Sequence, residues 1–337
     1  MVIGKFLKKN RKAGNKDIEV NFEPFNSGHI VCDSCLSQHL LSFYKPLSFA
    51  KCPKCNAAMF IPHRVSDYWL FKPLGSGGMG SVYKAIHYQN EKKYSVKLLQ
   101  RDSKVDKEVV DALLNEGRIG TLFVGHANIC PIVEYGNKNS EIFLVAEFLE
   151  GTRLDILIDN NGPAEEEKVL LWTLQLLSAL QHIYKQGYLF RDMKPQNIII
   201  TKDKKKATLF DFGLAIKTIK DDGDEEDSVM GSPMFLPPER CTLSEEGMYS
   251  EIYSLGMVVF YCLAGKPYYA SNDIDEIISM HTRKMRRKSV ASMLPDINPD
   301  IVHIIEKMIK RAPADRYQTF ESVYNEFKII YDIYRYG

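Results

Sequence analysis

The chain has 337 residues, of which 45% are hydrophobic and 26% are charged, and its formal net charge is +1. This composition is typical of a globular protein with one large domain and an appendage, or with two domains. The near-zero net charge gives no global field that would favour nucleic acid or a membrane surface. The longest apolar stretch, Ile252–Ala264, is too short to cross a bilayer, so no transmembrane segment is expected.

The N-terminal residues 1–19 contain only basic charges before Asp17. Such a run is compatible with an arm that binds a membrane or nucleic acid, but polar chain ends are usually disordered. We therefore predict a basic flexible tail. The N-terminus shows no secretory signal, and four of the seven cysteines form two C-x-x-C pairs instead of a disulfide-type pattern. Both features favour a cytoplasmic location.

The two cysteine pairs lie in residues 20–66 and have the spacing of a structural zinc site. Tetrahedral Zn²⁺ sites commonly combine two such pairs, so the predicted ligands are Cys32, Cys35, Cys52 and Cys55. Asn56 suits the left-handed residue that ends a zinc knuckle. This module would stabilise a segment that is too small to hold a core of its own, or it would bind a partner.

The same segment resembles the second half of a RING finger, from Gly28 to Leu36 and again at Cys52–Cys55. A complete RING finger needs eight ligands, and no cysteine precedes His29. A single ribbon-like site with four cysteine ligands is therefore predicted, with His29 as a possible substitute ligand. Ubiquitin-ligase activity does not follow from this resemblance.

Beyond residue 66 the pattern predicts a strand-rich part followed by a helical part. Predicted strands are Tyr68–Leu74, Ser81–His87, Tyr94–Leu99 and Ile142–Phe148, with a helix over Val105–Phe123. Pro163 is expected to open a long helix that ends at Gly187. The predicted fold class is therefore α+β with two lobes.

A glycine-rich turn, Gly75-x-Gly77-x-x-Gly80-x-Val82, connects the first two predicted strands. Backbone N–H groups approach a phosphate closely only where side chains are absent, which makes such a turn a candidate phosphate site. A dinucleotide-binding fold would need a helix directly after the turn, whereas Val82–Ala85 continues as a strand. This disfavours a dinucleotide-binding fold.

Together with downstream motifs, this turn makes residues 67–337 similar to the protein kinase family, in its bacterial serine/threonine form. The resemblance implies a small lobe at 67–146 and a large lobe at 150–337. It also implies ATP as the phosphate donor and Mg²⁺ as the metal. The implied nucleotide-binding residues are Leu74, Gly75, Gly77, Gly80, Val82, Lys97, Glu116, Glu147 and Leu149.

The implied catalytic residues lie in two short motifs. In the catalytic loop (residues 190–197), Asp192 would orient the substrate hydroxyl and accept its proton, while Asn197 would hold Mg²⁺. Asp211, in Asp-Phe-Gly, would bind Mg²⁺ next to the phosphates. Lys194 is the feature that marks serine/threonine kinases, so the expected substrates are proteins with Ser or Thr acceptors.

Several positions depart from the family pattern. Phe190 replaces the usual histidine before Arg191, and Glu251 replaces an aspartate that tethers the catalytic loop. Gly120 stands where a bulky apolar residue is usual, which weakens the helix assignment around Glu116. Ala146 aligns with the gatekeeper and implies a roomy pocket behind adenine.

Arg191 places the catalytic loop in a class of kinase loops that are usually ordered by a phosphate on the activation segment (residues 211–239). Ser228 and Thr218 are candidates for that phosphate, and the acidic run Asp221–Asp227 would partly replace it or simply be a solvated loop. The alternatives to an active kinase are a pseudokinase that binds ATP as a scaffold, and an adaptor in which the zinc module binds the partner. Few aromatic residues lie among the basic residues of the module, so base stacking has little support and no nucleic-acid partner is expected.

Overall fold

The computed structural model describes residues 22–77, 80–99, 106–219, 231–283 and 288–336. The basic tail at 1–19 and the acidic run Asp221–Asp227 with Ser228 lie outside these residues. Two compact units are present. The first comprises residues up to Lys72 together with Ala85–Glu91, and the second comprises Pro73–Lys84 and Lys92 onwards. No helix within the described ranges is long and apolar enough to span a membrane.

The first unit is built from short hairpins. Its elements are α1 (Glu23–Asn26), β1 (His29–Val31), β2 (Gln38–Leu40), β3 (Phe49–Lys51), β4 (Ala58–Phe60) and β5 (His63–Val65), followed by the start of β6 (Tyr68–Gly77). β1 pairs antiparallel with β2, β3 with β4, and β5 with β6. A small core of Phe25, Ile30, Met59 and Ile61 packs against Trp69. Burial in this unit is limited, as expected for so short a segment.

The two hairpins carry the same turn after each cysteine pair. Leu36 N–H donates to Cys32 O and Asn56 N–H donates to Cys52 O, both at 2.8 Å. Leu36 and Asn56 both have a left-handed backbone, with φ of 57° and 63°. The prediction of a left-handed Asn56 is confirmed, and Leu36 adopts this conformation although it is not a glycine or an asparagine.

The second unit begins with an antiparallel sheet. Its further strands are β7 (Gly80–His87), β8 (Lys93–Leu98), β9 (Ile132–Lys138) and β10 (Glu141–Glu147), in the order β6-β7-β8-β10-β9. The register of β10 on β8 places Leu144 opposite Lys97 and Ala146 opposite Ser95. Helix α2 (Lys107–Leu122) packs on β9 and β10.

The remainder of this unit is mainly helical. The helices are α3 (Leu154–Asn161), α4 (Glu166–Lys185), α5 (Pro238–Cys241), α6 (Met248–Ala264), α7 (Ile274–Thr282), α8 (Val290–Met293), α9 (Pro299–Met308) and α10 (Phe320–Tyr336). The short strands are β11 (Gly151–Arg153), β12 (Tyr188–Leu189), β13 (Ile198–Thr201), β14 (Ala207–Leu209) and β15 (Ile216–Lys217). Helix α6 is buried on nearly all sides, which explains its continuous apolar sequence.

Most predicted elements are observed with small shifts at their ends. One detail is wrong: Pro163 lies before α4, which begins at Glu166 after an N-cap at Glu165. A proline is tolerated at several positions near a helix start, so its position alone did not fix the first residue. Strand β9 was missed because its sequence, which begins with two apolar residues and ends Gly-Asn-Lys, does not alternate regularly between apolar and polar residues.

Candidate active site

Lys97 and Glu116 form a short ion pair in the second unit. Lys97 lies on β8 and its Nζ is 2.6 Å from Glu116 Oε2 on α2. The lysine side chain is 17% exposed and that of the glutamate is 4% exposed. Since a surface pair of this type would contribute little, the burial indicates that the pair holds the ammonium in a fixed position.

The negative charge of Asp211 reaches this pair. Burial raises the pKa of Glu116 to about 7; Lys97 opposes this rise, and Asp211 adds to it. Burial alone would lower the pKa of Lys97, but the carboxylates of Glu116 and Asp211 outweigh it and raise the pKa. A β-carbon built on Gly213 would lie 3.5 Å from both Asp211 Oδ1 and Glu116 Oε2, so the two carboxylates converge there.

Asp192 is held by two neighbours in its own loop. Its Oδ2 accepts hydrogen bonds from Lys194 Nζ and from Asn197 Nδ2, both at 2.7 Å. Asn197 Nδ2 also donates to the Asp192 carbonyl at 3.1 Å. Because the amide nitrogen of Asn197 faces Asp192, its side-chain oxygen remains as a possible metal ligand.

A two-stranded hairpin brings the second motif to the first. β13 pairs with β14 with Ile198 opposite Leu209, and Phe210 N–H donates to Asn197 O at 3.1 Å. Asn197 therefore lies beside the residue that precedes Asp211. Asp211 itself has a left-handed backbone with φ of 68°, a conformation that aspartate tolerates better than most residues.

Within the glycine-rich turn, Gly80 has a clear steric requirement. A β-carbon at Gly80 would lie 2.6 Å from Leu98 O, and φ is 113°. Only glycine fits, because the strand backbone of β8 passes directly beside it. Gly75 and Gly77 lie on β6 and Val82 on β7, Leu74 is 41% exposed, and Gly78 and Met79 lie outside the described residues. Glu147 ends β10, and Leu149 follows it.

The two unusual residues beside the catalytic loop both make contacts there. Phe190 is fully buried, and its ring meets that of Phe212 edge-on at 5.9 Å. Glu251 Oε1 accepts a hydrogen bond from Arg191 N–H at 2.6 Å. Glutamate therefore performs the tethering contact expected of the usual aspartate. Burial raises the pKa of Glu251 to about 7.

Gly120 does not weaken the helix assignment. It lies within α2, and a β-carbon there would lie 2.5 Å from Ile132 Cγ1 and 3.1 Å from Phe212 Cδ2. Phe123 also packs its ring against Phe212, at 5.3 Å. Neighbouring apolar side chains therefore fill the volume that the missing side chain leaves.

Glu239 and Arg316 form a buried ion pair. Arg316 Nη1 and Nη2 contact the two carboxylate oxygens of Glu239 at 2.6 and 3.0 Å, and both side chains are buried. This two-pronged geometry ties the end of the activation segment to the segment before α10.

In the first unit, the four predicted cysteines converge. Their sulfur atoms all lie within 4.8 Å of one another. Cys32 and Cys55 are 3.6 Å apart, and Cys35 and Cys52 are 3.7 Å apart, measured between Sγ atoms. Tetrahedral zinc with Zn–S bonds of ~2.3 Å separates its sulfurs by roughly 3.8 Å, so the group fits a Zn²⁺ ion.

The structure does not bring His29 to this group. His29 Nδ1 lies 2.8 Å from Ser27 O, and among the described residues the possible ligand group consists of the four cysteines alone. Sequence reasoning missed two other neighbours: Ser37 Oγ lies 3.0 Å from Cys35 Sγ, and His39 Nε2 lies 3.3 Å from Cys52 Sγ. The hydrogen bond from Ser37 is the main cause that lowers the pKa of Cys52 to about 5.

A comparison with known protein families agrees with this site geometry, in which the key side chains are those of Lys97, Glu116, Asp192 and Asp211. Residues 68–327, well over half of the chain, match the family model described as "Protein kinase domain". The chain belongs to the protein kinase family. Its sheet-rich N-terminal part and helical C-terminal part are consistent with the bilobal kinase fold.

The relatives of this kinase chain include bacterial serine/threonine kinases. It is 32% identical to serine/threonine-protein kinase PknH of Mycobacterium tuberculosis over 251 residues, which is 74% of this chain and 40% of PknH. It is 28% identical to PrkC of Bacillus subtilis over 275 residues, 81% of this chain and 42% of PrkC. The chain thus spans about two fifths of the length of these curated relatives. The predicted family and its serine/threonine class of relatives are confirmed.

Proposed function

We propose that this chain is an active protein serine/threonine kinase that transfers the γ-phosphate of ATP to Ser or Thr hydroxyls of proteins. In this proposal residues 67–337 form the catalytic domain and residues 20–66 form a zinc module. The observation that carries it is the Asp192 carboxylate, fixed by Lys194 and Asn197 at 2.7 Å each. A carboxylate held in this way is oriented to accept a proton from an incoming hydroxyl.

The other site residues would bind the nucleotide. Lys97, which Glu116 holds in position, would bind phosphate oxygens through its ammonium. The backbone N–H groups around Gly75, Gly77 and Gly80 would approach the phosphates, and Leu74 and Val82 would cover the base. The backbones of Glu147 and Leu149 would hydrogen-bond adenine.

Phosphoryl transfer depends mainly on positioning and charge stabilisation. Asn197 and Asp211 offer an amide oxygen and a carboxylate, which are ligands that Mg²⁺ accepts. When bound there, Mg²⁺ would neutralise the negative charge of the phosphates. Lys194 would add positive charge beside Asp192 as the hydroxyl loses its proton.

The serine/threonine preference is supported by Lys194 and by the serine/threonine-protein kinases among the relatives. The deciding experiment incubates the purified chain with γ-labelled ATP, Mg²⁺ and a generic Ser/Thr protein substrate, beside an Asp211→Asn variant. Transfer by the wild type and its loss in the variant are expected. A folded wild-type protein that labels neither itself nor the substrate would instead indicate a pseudokinase.

We also propose that Cys32, Cys35, Cys52 and Cys55 hold one structural zinc ion. Four thiolates fill a tetrahedral shell and leave no open position, so the ion would stabilise the fold and take no part in catalysis. The sulfur separations of 3.6 and 3.7 Å support this proposal. The small core of this unit gives such an ion a clear stabilising role.

A further inference from the structure

One short segment holds three functional groups of Arg191. Its N–H donates to Glu251 Oε1 at 2.6 Å, and its carbonyl accepts a hydrogen bond from Arg240 Nη1. Its guanidinium Nη2 lies 2.7 Å from Glu246 Oε1. All three partners belong to residues 240–251, which run from the end of α5 to the first turn of α6.

Arg240 and Glu246 also bind each other. Arg240 Nε lies 3.2 Å from Glu246 Oε1 and 3.1 Å from Oε2, and its Nη2 lies 2.5 Å from Oε2. The carboxylate of Glu246 therefore bridges two guanidinium groups, from Arg191 and Arg240. Arg240 in turn connects Glu246 to the backbone of Arg191.

This network is buried from solvent. The exposed fractions of the side chains are 9% for Arg191, 3% for Arg240 and 6% for Glu246. A buried charge that loses its partner is strongly destabilising, whereas a complete network with good geometry is rigid. Glu246 thus balances charge that would otherwise be unfavourable beside the catalytic loop.

The backbone of Arg191 itself needs such support. Its φ is 66°, a left-handed conformation that is unfavourable for a residue with a long side chain. Asp192 follows it directly. Any relaxation of Arg191 towards ordinary backbone angles would therefore move the Asp192 carboxylate.

We propose that Arg240 and Glu246 are positioning residues, and that the Glu246 carboxylate holds Arg191 in the way a phosphate on the activation segment would. The catalytic loop would then be organised without phosphorylation. The proposal rests on the proposed role of Asp192. It is independent of residues 220–230, because every atom of the network belongs to described residues. Thr218, a candidate phosphate acceptor, has its hydroxyl bound to Gly187 O at 3.2 Å.

The first test measures kcat and the KM for ATP of Glu246→Gln and Arg240→Lys, beside the control Glu245→Gln, which removes the same charge at an exposed position. We expect kcat to fall about tenfold or more in the first two, since misplacement of a reacting group by ~1 Å can cost ~100-fold. The KM for ATP should stay within about twofold in both, because Lys97 and the glycine-rich turn are untouched. Glu245→Gln should keep the wild-type kcat.

Arg240→Lys keeps the buried charge balance, so it remains informative if Glu246→Gln does not fold. A folded Arg240→Lys or Glu246→Gln protein with wild-type kcat would overturn the inference. A rise in KM with unchanged kcat would overturn it as well, since that would indicate a role in binding.

The second test treats the wild type with a serine/threonine phosphatase, verifies complete dephosphorylation by intact mass, and records the initial rate. The proposal predicts an initial rate within about threefold of untreated protein and no lag. A rate as low as that of Glu246→Gln, or a lag that ends as the protein phosphorylates itself, would overturn it. If the untreated wild type is inactive, the proposed function fails; if it is active and Asp192→Asn is equally active, the assumed role of Asp192 fails.

Discussion

Ile132 occupies the space that a side chain at position 120 would need. A β-carbon built on Gly120 would lie 2.5 Å from Ile132 Cγ1, and Phe212 Cδ2 would lie 3.1 Å away. The glycine on α2 and the isoleucine on β9 are therefore complementary in size. Together with Phe123 they set the position of Phe212, and hence of Asp211.

Gly120→Leu should lower kcat by roughly tenfold or more, because over-packing forces the neighbours to move at a cost of about 1–3 kcal/mol. The additional change Ile132→Ala should recover much of the loss by making room for the leucine. Gly136→Leu is the matched control, since a β-carbon there would meet nothing within 4 Å. Initial rates at saturating Mg·ATP are compared for the wild type and these variants. Wild-type activity in Gly120→Leu would show that this contact does not position Phe212.

Ala146 should admit ATP analogues with bulky N6 substituents. Ala146 on β10 lies opposite Ser95 on β8, so both side chains at this point of the sheet are small. Ala146→Met should abolish use of the analogue, because the methionine side chain fills the space that the N6 substituent needs, and filling even a methylene-sized void corresponds to ~1 kcal/mol or more. The KM for ATP itself should change by less than about threefold. Relative kcat/KM for the two nucleotides is the measurement. If the wild type rejects the analogue as strongly as the variant, Ala146 is not the gatekeeper.

The sequence predicted the elements around the candidate site because each motif carries its own local geometry. Glycine turns, the spacing from Asp192 to Asn197, and the paired cysteines are all short-range patterns. The long buried helix α6 was visible as a continuous apolar run. Short strands such as β11 and β12 were missed because their pairing partners lie far away in the sequence.

The network around Arg191 could not be predicted for the same reason. Arg240 and Glu246 lie in a polar stretch without periodicity, and nothing in the sequence distinguishes Glu246 from its exposed neighbour Glu245. Only the tertiary fold buries one and exposes the other. Likewise, His39 was not recognised beside Cys52, whereas His29 was named as a substitute ligand, because distance along a hairpin depends on its register.

Glu251 should make stability depend on pH. Burial raises its pKa from 4.5 to about 7. Between pH 4.5 and about pH 7, the folded protein therefore keeps a proton on Glu251 that the unfolded chain has already lost. The contribution of Glu251 to stability is therefore largest below pH 4.5 and falls as the pH rises towards 7. Relative to Glu251→Gln, the wild type should lose about 2 kcal/mol between pH 5 and pH 7, and little more above it.

Urea unfolding at pH 5, 6, 7 and 8 measures this difference. The control Glu245→Gln removes a carboxylate at an exposed position. A constant difference between wild type and Glu251→Gln across the range would mean that Glu251 is ionised throughout.

The cysteine group should contain one zinc ion per chain after purification without added metal. A Cys52→Ser/Cys55→Ser variant should contain none, and its thermal midpoint should fall because the ion contributes to folding. His29→Ala should keep full occupancy, since His29 contacts Ser27 instead. Elemental analysis of all three proteins provides the measurement. Two ions per chain would support a RING-like arrangement, and a folded protein without metal would exclude the zinc site.

In the proposed mechanism Asp192 accepts the proton of the substrate hydroxyl and Asp211 binds the metal–nucleotide complex. The most direct test measures phosphoryl transfer and Mg·ATP affinity in Asp192→Asn and Asp211→Asn under the same conditions. Both variants should lose nearly all transfer. Only Asp211→Asn should bind Mg·ATP substantially more weakly, whereas Asp192→Asn should bind it within about twofold of wild type. Retained transfer in either variant, or equal loss of affinity in both, would contradict this division of roles.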